Sequence, residues 1–450
     1  MVTVPEQLAR AFNGSFVGPD DAGYDDVRAV HNGLVDKRPG LIARCHNVAD
    51  VRDAVNFGRD SGLEISVRGG GHNVAGRAVT DGGLMIDLSL MRGVDVDPAR
   101  QRARSQGGVT WNEYNRATGV YGQATTGGVI STTGVAGLTL GGGLGWLMGK
   151  HGLSIDNVRQ IELVTADGQA RLVNEETEPD LFWALRGGGG NFGVAASFEF
   201  ETHPLDVILG GLIAHPLDAA GEVMDQFRQF TKALPDEVTA FCGLVHAPDG
   251  SGAQLCAIPL CHCGDLAQAE ADLAPLRQFG PPLLDLVQPM PYPMVNSMLD
   301  DAFPRGALNY WKSAFFTELS DAAVETMIEA FKAVPSIMTG MLIEHIHGAV
   351  CQVDPTATAF PFREPGYNLV LTGQWSDAAD TAANMAWVRD TFAALQPYTA
   401  PQGYVNYLGD DESARVASAY GPNLDRLVEI KRRYDPDNLF RLNHNIDPAG

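Results

Sequence analysis

Val67-Arg68-Gly69-Gly70-Gly71-His72-Asn73-Val74-Ala75-Gly76 is the stretch from which the rest of the chain is best read. A short β-type run, Glu64–Arg68, ends in an arginine, three glycines, a histidine and an asparagine. Glycine lets backbone N–H groups come close to a ligand and adopt positive φ. The loop therefore offers a row of backbone donors to a phosphate-bearing ligand and presents one imidazole beside it. Taken singly, such a cluster reads equally well as a tight turn. Of the 51 glycines, dense clusters at Gly127-Gly128, Gly134 to Gly145 and Gly187 to Gly193 join this one inside the first 195 residues. Four clusters in one region point to a long ligand laid across backbone amides.

Two common nucleotide loops do not fit. Gly188-x-Gly190-x-x-Gly193 has the dinucleotide spacing, but a helix-like segment (Asp180–Arg186) precedes it and a strand (Val194–Phe200) follows, the reverse of the strand–loop–helix order required. Gly145-Trp-Leu-Met-Gly149-Lys150 is one residue too short between its glycines for a P-loop, and His151 follows where Ser or Thr is needed. NAD or ATP as the main ligand is disfavoured.

Around the glycine loops the first region alternates short strands (Leu84–Leu88, Ile161–Thr165, Ala195–Glu201) with helix-like stretches near Val48–Asp60 and Thr110–Thr118. Beyond about residue 205 the pattern changes. Asp218–Leu234, Leu266–Phe279, Asp321–Val334 and Ala378–Leu395 read as amphipathic helices; in the third, Val324, Met327, Ile328 and Phe331 recur at helical spacing. Strand runs Thr239–Ala247 and Ala253–His262 lie between the first two helices, and Met341–Val350 and Tyr367–Trp375 between the last two. The order helix–strand–strand–helix occurs twice, which predicts an α+β domain on a largely antiparallel sheet with helices on one face.

At 450 residues, two domains are expected. The 45% hydrophobic and 19% charged content is that of a globular chain. Fifty-five acids against 32 bases give a formal charge of −23, which repels phosphate backbones and anionic lipid, so neither nucleic acid nor a membrane surface is an expected partner. The start, MVTVPEQLARAFNG, has no basic and apolar leader, and the six cysteines sit mostly in apolar runs, so a cytoplasmic protein with reduced thiols is expected. Cys261-His262-Cys263 is too closely spaced for zinc and reads as a strand end with buried thiols; no metal is expected. His345 and His347 share one face of a strand and either line a substrate cleft or pack on a neighbour.

The Arg68-to-Gly76 loop resembles that of the berberine-bridge-enzyme-like branch of the vanillyl-alcohol-oxidase flavoproteins. The likeness continues through Gly127 to Gly145, through Gly189-Gly190-Asn191-Phe192-Gly193-Val194 and Tyr404-Val405-Asn406-Tyr407, and to Tyr434–Phe440 with Asn443 and Asn445. It implies a two-domain α+β FAD fold: an FAD-binding domain over residues 1–205 (its PCMH-type part about 36–205), a substrate domain over 206–420, and a segment 421–450 returning to the flavin. The FAD-holding residues it implies are Arg68, Gly69, Gly70, Gly71, His72, Asn73 and Gly76 in the first loop. In the second they are Gly127, Thr132, Thr133, Gly134, Gly137, Gly142 and Gly143, in the third Asn191, Gly193 and Val194, and near the C-terminus Asn406, Asn443 and Asn445.

In similar enzymes the histidine at His72 is bonded to the flavin 8α-methyl carbon, a step that needs a neutral imidazole. Many relatives add a cysteine tether where this chain has Ile130, so a single covalent bond is expected here. Tyr407 and Tyr404, in a short strand by this reading, are the expected catalytic pair, with Tyr407 as the base. A tyrosine with an ordinary pKa of about 10 needs help at neutral pH, from an Arg, from His345 or His347, or from the substrate. Plant relatives that oxidise phenylpropanoid alcohols carry Lys and Gln where this chain has Asn368 and Val370, which argues against such a substrate. Thr133 falls where the family gates oxygen, and a small residue there admits it. The resulting expectation is an FAD-linked oxidase. It takes a hydride from a C–H bond next to O or N of a small to medium molecule (sugar, alkaloid-like amine or polyketide) and returns electrons to O2 as H2O2. The alternatives are a flavin-binding protein without turnover, or a dehydrogenase using another acceptor.

Overall fold

The computed structural model describes residues 2–449. Its first part builds two sheets. One has the order Ser15–Val17, Leu41–Arg44, Leu84–Asp87, Ile65–Arg68, with the last three strands parallel and the helix Val48–Asp60 packed against it. Asn47 caps that helix by accepting from the Asp50 N–H, and its buried stripe is Val51, Ala54 and Val55. The other sheet is antiparallel, in the order Val94–Asp97, Arg102–Gln106, Val194–Glu201, Val158–Val164, Ala170–Val173. The first glycine loop leaves the end of Ile65–Arg68 and the last leads into Val194–Glu201, while Gly134 to Gly145 runs around the short helix Val135–Leu140.

The second part is an eight-stranded antiparallel sheet. The unit strand–helix–strand–strand–helix occurs twice, first as Val207–Pro216, Ala220–Thr231, Val238–His246, Gln254–His262 and Leu266–Arg277. The second copy is Leu308–Phe316, Asp321–Lys332, Gly340–Ile346, Gly366–Trp375 and Thr381–Leu395. Within each copy the strands lie in the order first, third, second, and the two second strands (Val238–His246 and Gly340–Ile346) pair at the centre. The opening strand of each copy goes beyond the sequence reading. The strand expected over Met341–Val350 ends at Ile346; Gly348, at φ 61°, turns the chain into a short helix, Ala349–Gln352.

Side chains alternate across a strand, and this sheet uses both faces. Met341, Ile343, Leu369 and Leu371 join Val223, Phe227, Met327 and Phe331 of the helices in one core. The opposite face, with Leu342, Glu344, Val370 and Thr372, fronts a cavity against the first part of the chain.

The chain rejoins the first domain ahead of residue 421, since Val405 and Tyr420 are already in its core. The helix Leu424–Tyr434 then packs on Pro179–Leu185. Its Lys431 is fully buried and donates to Asp435 Oδ2 (2.6 Å), Asn191 O (2.7 Å) and Phe440 O (3.1 Å). Asp435 accepts in addition from the Leu439 and Phe440 amides, so the ion pair is fully hydrogen-bonded and ties the C-terminal segment to the third glycine loop. Lys431→Met should lower stability by roughly 3–5 kcal/mol in denaturant titration, because it leaves a buried carboxylate unpaired. Lys431→Met with Asp435→Asn should recover part of that loss. A single-variant loss below about 1 kcal/mol would mean that the pair anchors nothing.

Candidate active site

The cavity is formed where the glycine loops meet the sheet. From Gly69 to Asn73 the backbone N–H groups have no acceptor among the described residues, and Gly71 holds φ at 70°. A Cβ on Gly70 would lie 2.5 Å from the Gly134 Cα, and one on Gly134 would lie 2.4 Å from the Gly70 N, so the two loops touch backbone to backbone. A Cβ on Gly137, by contrast, would meet nothing within 4 Å. Unspent amide donors on a side-chain-free floor fit an anionic, flat-bodied group such as FAD.

Of the residues named from sequence, Gly69, Gly70, Gly71, His72 and Asn73 line the cavity, as do Thr133, Gly134 and Gly137, Asn191 and Gly193, and Asn406, Tyr407 and Asn443. The others stand outside its wall. Arg68 does not face it: its guanidinium forms a two-pronged buried pair with Asp87 (2.9 and 2.7 Å) and donates to the Val27 and Ala29 carbonyls. That arginine holds the loop's root, and the amides after it are left for a ligand. Gly76 abuts Val35, Gly127 lies under Trp111, Gly142 against Phe360 and Gly143 against Ser154, each where a Cβ would clash. Val194 is core, beside Leu84 and Ile86. Asn445 keeps its side-chain oxygen buried and unpartnered away from the wall. Thr132 is exposed, and its Oγ1 lies 3.3 Å from His72 Nε2.

His72 is half-buried at the cavity edge. Burial, and after it the neighbouring His31, push its pKa down to about 3, so the ring is neutral at physiological pH.

Tyr404 and Tyr407 are not in a strand. Val405–Tyr407 is a tight helical turn closed by Tyr407 N to Tyr404 O (2.9 Å). The fully buried Tyr404 hydroxyl accepts from Gly143 N (2.8 Å) and Asn406 Nδ2 (2.7 Å) and does not reach the cavity. Tyr404 thus orients Asn406 and the second glycine loop rather than meeting a substrate.

Tyr407 does face the cavity, and its hydroxyl donates to Glu344 Oε1 at 3.0 Å. Asn368 Nδ2 donates to the other carboxylate oxygen at 2.5 Å. Burial pushes Glu344 up to about 7 against the two hydrogen bonds that favour its ionised form. Burial and the adjacent carboxylate push Tyr407 well above the usual phenol value, so Tyr407 by itself is a poorer base than free tyrosine. The expected helpers are also elsewhere. His345 alternates with Glu344 to the other face, and with His347 it lines a separate depression beside Thr231, Lys232 and Tyr367. Glu344 is easily passed over in the sequence because it directly precedes the His345/His347 pair in an apolar strand. The signal was there: a lone carboxylate on the face opposite the pair.

Cys261 and Cys263 are buried at a strand end and donate to the Trp146 and Glu237 carbonyls (3.2 Å each), while His262 contacts Asp272. Among the described residues no three His, Cys, Asp or Glu side chains gather to hold a metal. No helix among the described residues is long and apolar enough to cross a membrane.

Residues 39–174 match the family model described as "FAD binding domain", and residues 403–447 the one described as "Berberine and berberine like". The (R)-6-hydroxynicotine oxidase of Paenarthrobacter nicotinovorans is 33% identical over 468 residues, 98% of each chain. The solved 6-hydroxy-D-nicotine oxidase from Arthrobacter nicotinovorans has a TM-score of 0.88 at 30% identity, covering 99% of this chain and 100% of that one. A solved chitooligosaccharide oxidase, 22% identical with a TM-score of 0.84 over 98% of this chain and 99% of its own, shares the fold. The chain therefore belongs to the berberine-bridge-enzyme-like branch of the vanillyl-alcohol-oxidase flavoproteins, and it is an FAD-linked oxidoreductase.

Proposed function

We propose that the protein is a cytoplasmic oxidase that carries FAD on a single bond to His72, takes a hydride from the carbon beside the nitrogen of an apolar amine, and passes the electrons to O2. The observation that carries this reading is Glu344, the carboxylate set into an otherwise apolar substrate wall of Val74, Leu299, Phe303, Trp311, Leu342 and Val370. A sugar brings a hydroxyl on nearly every carbon, and each would need a partner when buried. Among the described residues the polar groups beside that wall are Tyr407, Glu344 and Thr372. The Thr372 hydroxyl is already bonded to Gly340, which suits one polar atom on an apolar body. The relative named for 6-hydroxynicotine supports the same class.

Bound FAD supplies the hydride acceptor. The amides of Gly69–Asn73 would hold its phosphates, and the neutral His72 ring would attach it. The chain's part in the chemistry is the proton. A substrate N–H within reach of Tyr407 Oη gives up its proton there while the tyrosine's own proton moves to Glu344 Oε1. The net acceptor is a carboxylate poised near neutral pH, where base catalysis is most effective. Asn368 holds that carboxylate in place, and the apolar wall excludes water from it. Thr133 lines the cavity, and its small side chain supports the reading that O2 would have room to reach the bound ring. The six free cysteines fit a reducing compartment.

Because Glu344 accepts a proton only when ionised, flavin reduction under anaerobic stopped flow should rise with pH through about 7 and then level off. Glu344→Gln should abolish that limb and slow reduction by roughly 10²–10⁴-fold. A variant that reduces its flavin at the wild-type rate would remove Glu344 from the mechanism. Acid precipitation should leave the flavin in the wild-type pellet and move it to the supernatant in His72→Ala. Thr133→Leu should slow reoxidation by air and spare reduction; sluggish reoxidation in the wild type would instead favour a dehydrogenase.

A further inference from the structure

Residues 29–33 lie ahead of the matched FAD-binding region yet form a strap between the two halves of the cavity. On one side His31 N donates to Gly71 O (2.9 Å) and Asn32 Nδ2 to Val74 O (2.9 Å). On the other, Gly306 N donates to His31 O, Gly33 N to Ala307 O, and Asn32 both donates to Asn309 O and accepts from Asn309 N, each at 2.9 Å. Arg305 adds a bond to Ala29 O at 2.7 Å. So held, the His31 ring stacks on His72 with centroids 3.8 Å apart and planes 22° from parallel. His31 is buried, and its Nε2 has no hydrogen-bond partner. The ring face, then, is what His31 presents to His72.

We propose that His31 is a positioning residue for flavin attachment: its ring face holds the His72 imidazole in the one orientation from which the bond to FAD can form. This rests on the reading that His72 carries the flavin. In that step a bond forms between an imidazole nitrogen and the 8α carbon, while one methyl C–H bond and the imidazole N–H bond break. The two protons and two electrons go to the ring, and O2 removes them as hydrogen peroxide. The reaction needs the imidazole neutral and aimed at one carbon. Thr132 Oγ1 touches one ring nitrogen, and His31 restrains the plane. The titratable or charged groups around the pair are His31 itself and, beside it, Arg305. Burial and Arg305 hold His31 down to about 4, so two uncharged rings face each other at neutral pH.

The test is the rate of covalent attachment after FAD is added to apo-protein, read from the acid-precipitated pellet. His31→Ala should bind FAD but attach it on the order of 10²-fold more slowly, the usual cost of a misaligned nucleophile. His31→Phe, which keeps a flat ring without its nitrogens, should attach it near the wild-type rate. Histidine-ring NMR of the apo-protein should show the His72 pKa rising from about 3 towards 6.5 in His31→Ala and staying low in His31→Phe. If His31→Ala does not fold, His31→Gln, polar but ringless, takes its place and should also be slow. Attachment at the wild-type rate in the ringless variant, or equally slow attachment in His31→Phe, would overturn the inference. Wild-type flavin found wholly in the supernatant would refute the bond to His72 itself, and the inference with it.

Discussion

Everything at the site depends on two loops meeting without side chains. Gly70 and Gly134 touch through their backbones, and that contact closes one side of the cleft while leaving the amides of Gly69–Asn73 free. The other side is a sheet face backed by a helix-covered core. Neither surface can give way cheaply, because close-packed interiors resist small changes in volume. The cleft is therefore walled by packed structure on both sides, with backbone donors on one and a mostly apolar sheet face on the other.

Desolvation in that cleft does opposite things to different groups. It strips the charge from His72, which suits a nucleophile, and it raises Glu344 towards neutrality, which suits a proton acceptor. It also denies Tyr407 a stable anion, which leaves that hydroxyl to relay a proton and not to keep one. One physical cause thus assigns three different parts, and the hydrogen bonds from Asn368 and Tyr407 tune the carboxylate against it.

The glycine loops and the repeated helix–strand–strand–helix order were legible because backbone needs and apolar periodicity are local properties. What was missed depended on tertiary context. Val207–Pro216 carries Gly210-Gly211, a pair that reads as a break; in the fold these glycines admit Val295 and the Leu286 backbone against a strand. Tyr404-Val405-Asn406-Tyr407 alternates like a strand, yet the Tyr404 hydroxyl pinned at Gly143 draws it into a turn. The resemblance put Arg68 among the FAD-holding residues; its partner Asp87, 19 residues away, is seen only in the fold. Glu344 gained its meaning only when its strand was placed beside the C-terminal turn.

The central claim is that the cleft holds one buried carboxyl group that titrates near neutral pH. Infrared difference titration of the wild type against Glu344→Gln isolates the carbonyl band of a protonated carboxylic acid at that position. The account predicts a band present in mild acid that disappears with a midpoint near 7 and is absent from the variant. A Glu344 carboxyl already ionised across that range, titrating with the ordinary surface carboxylates, would contradict it.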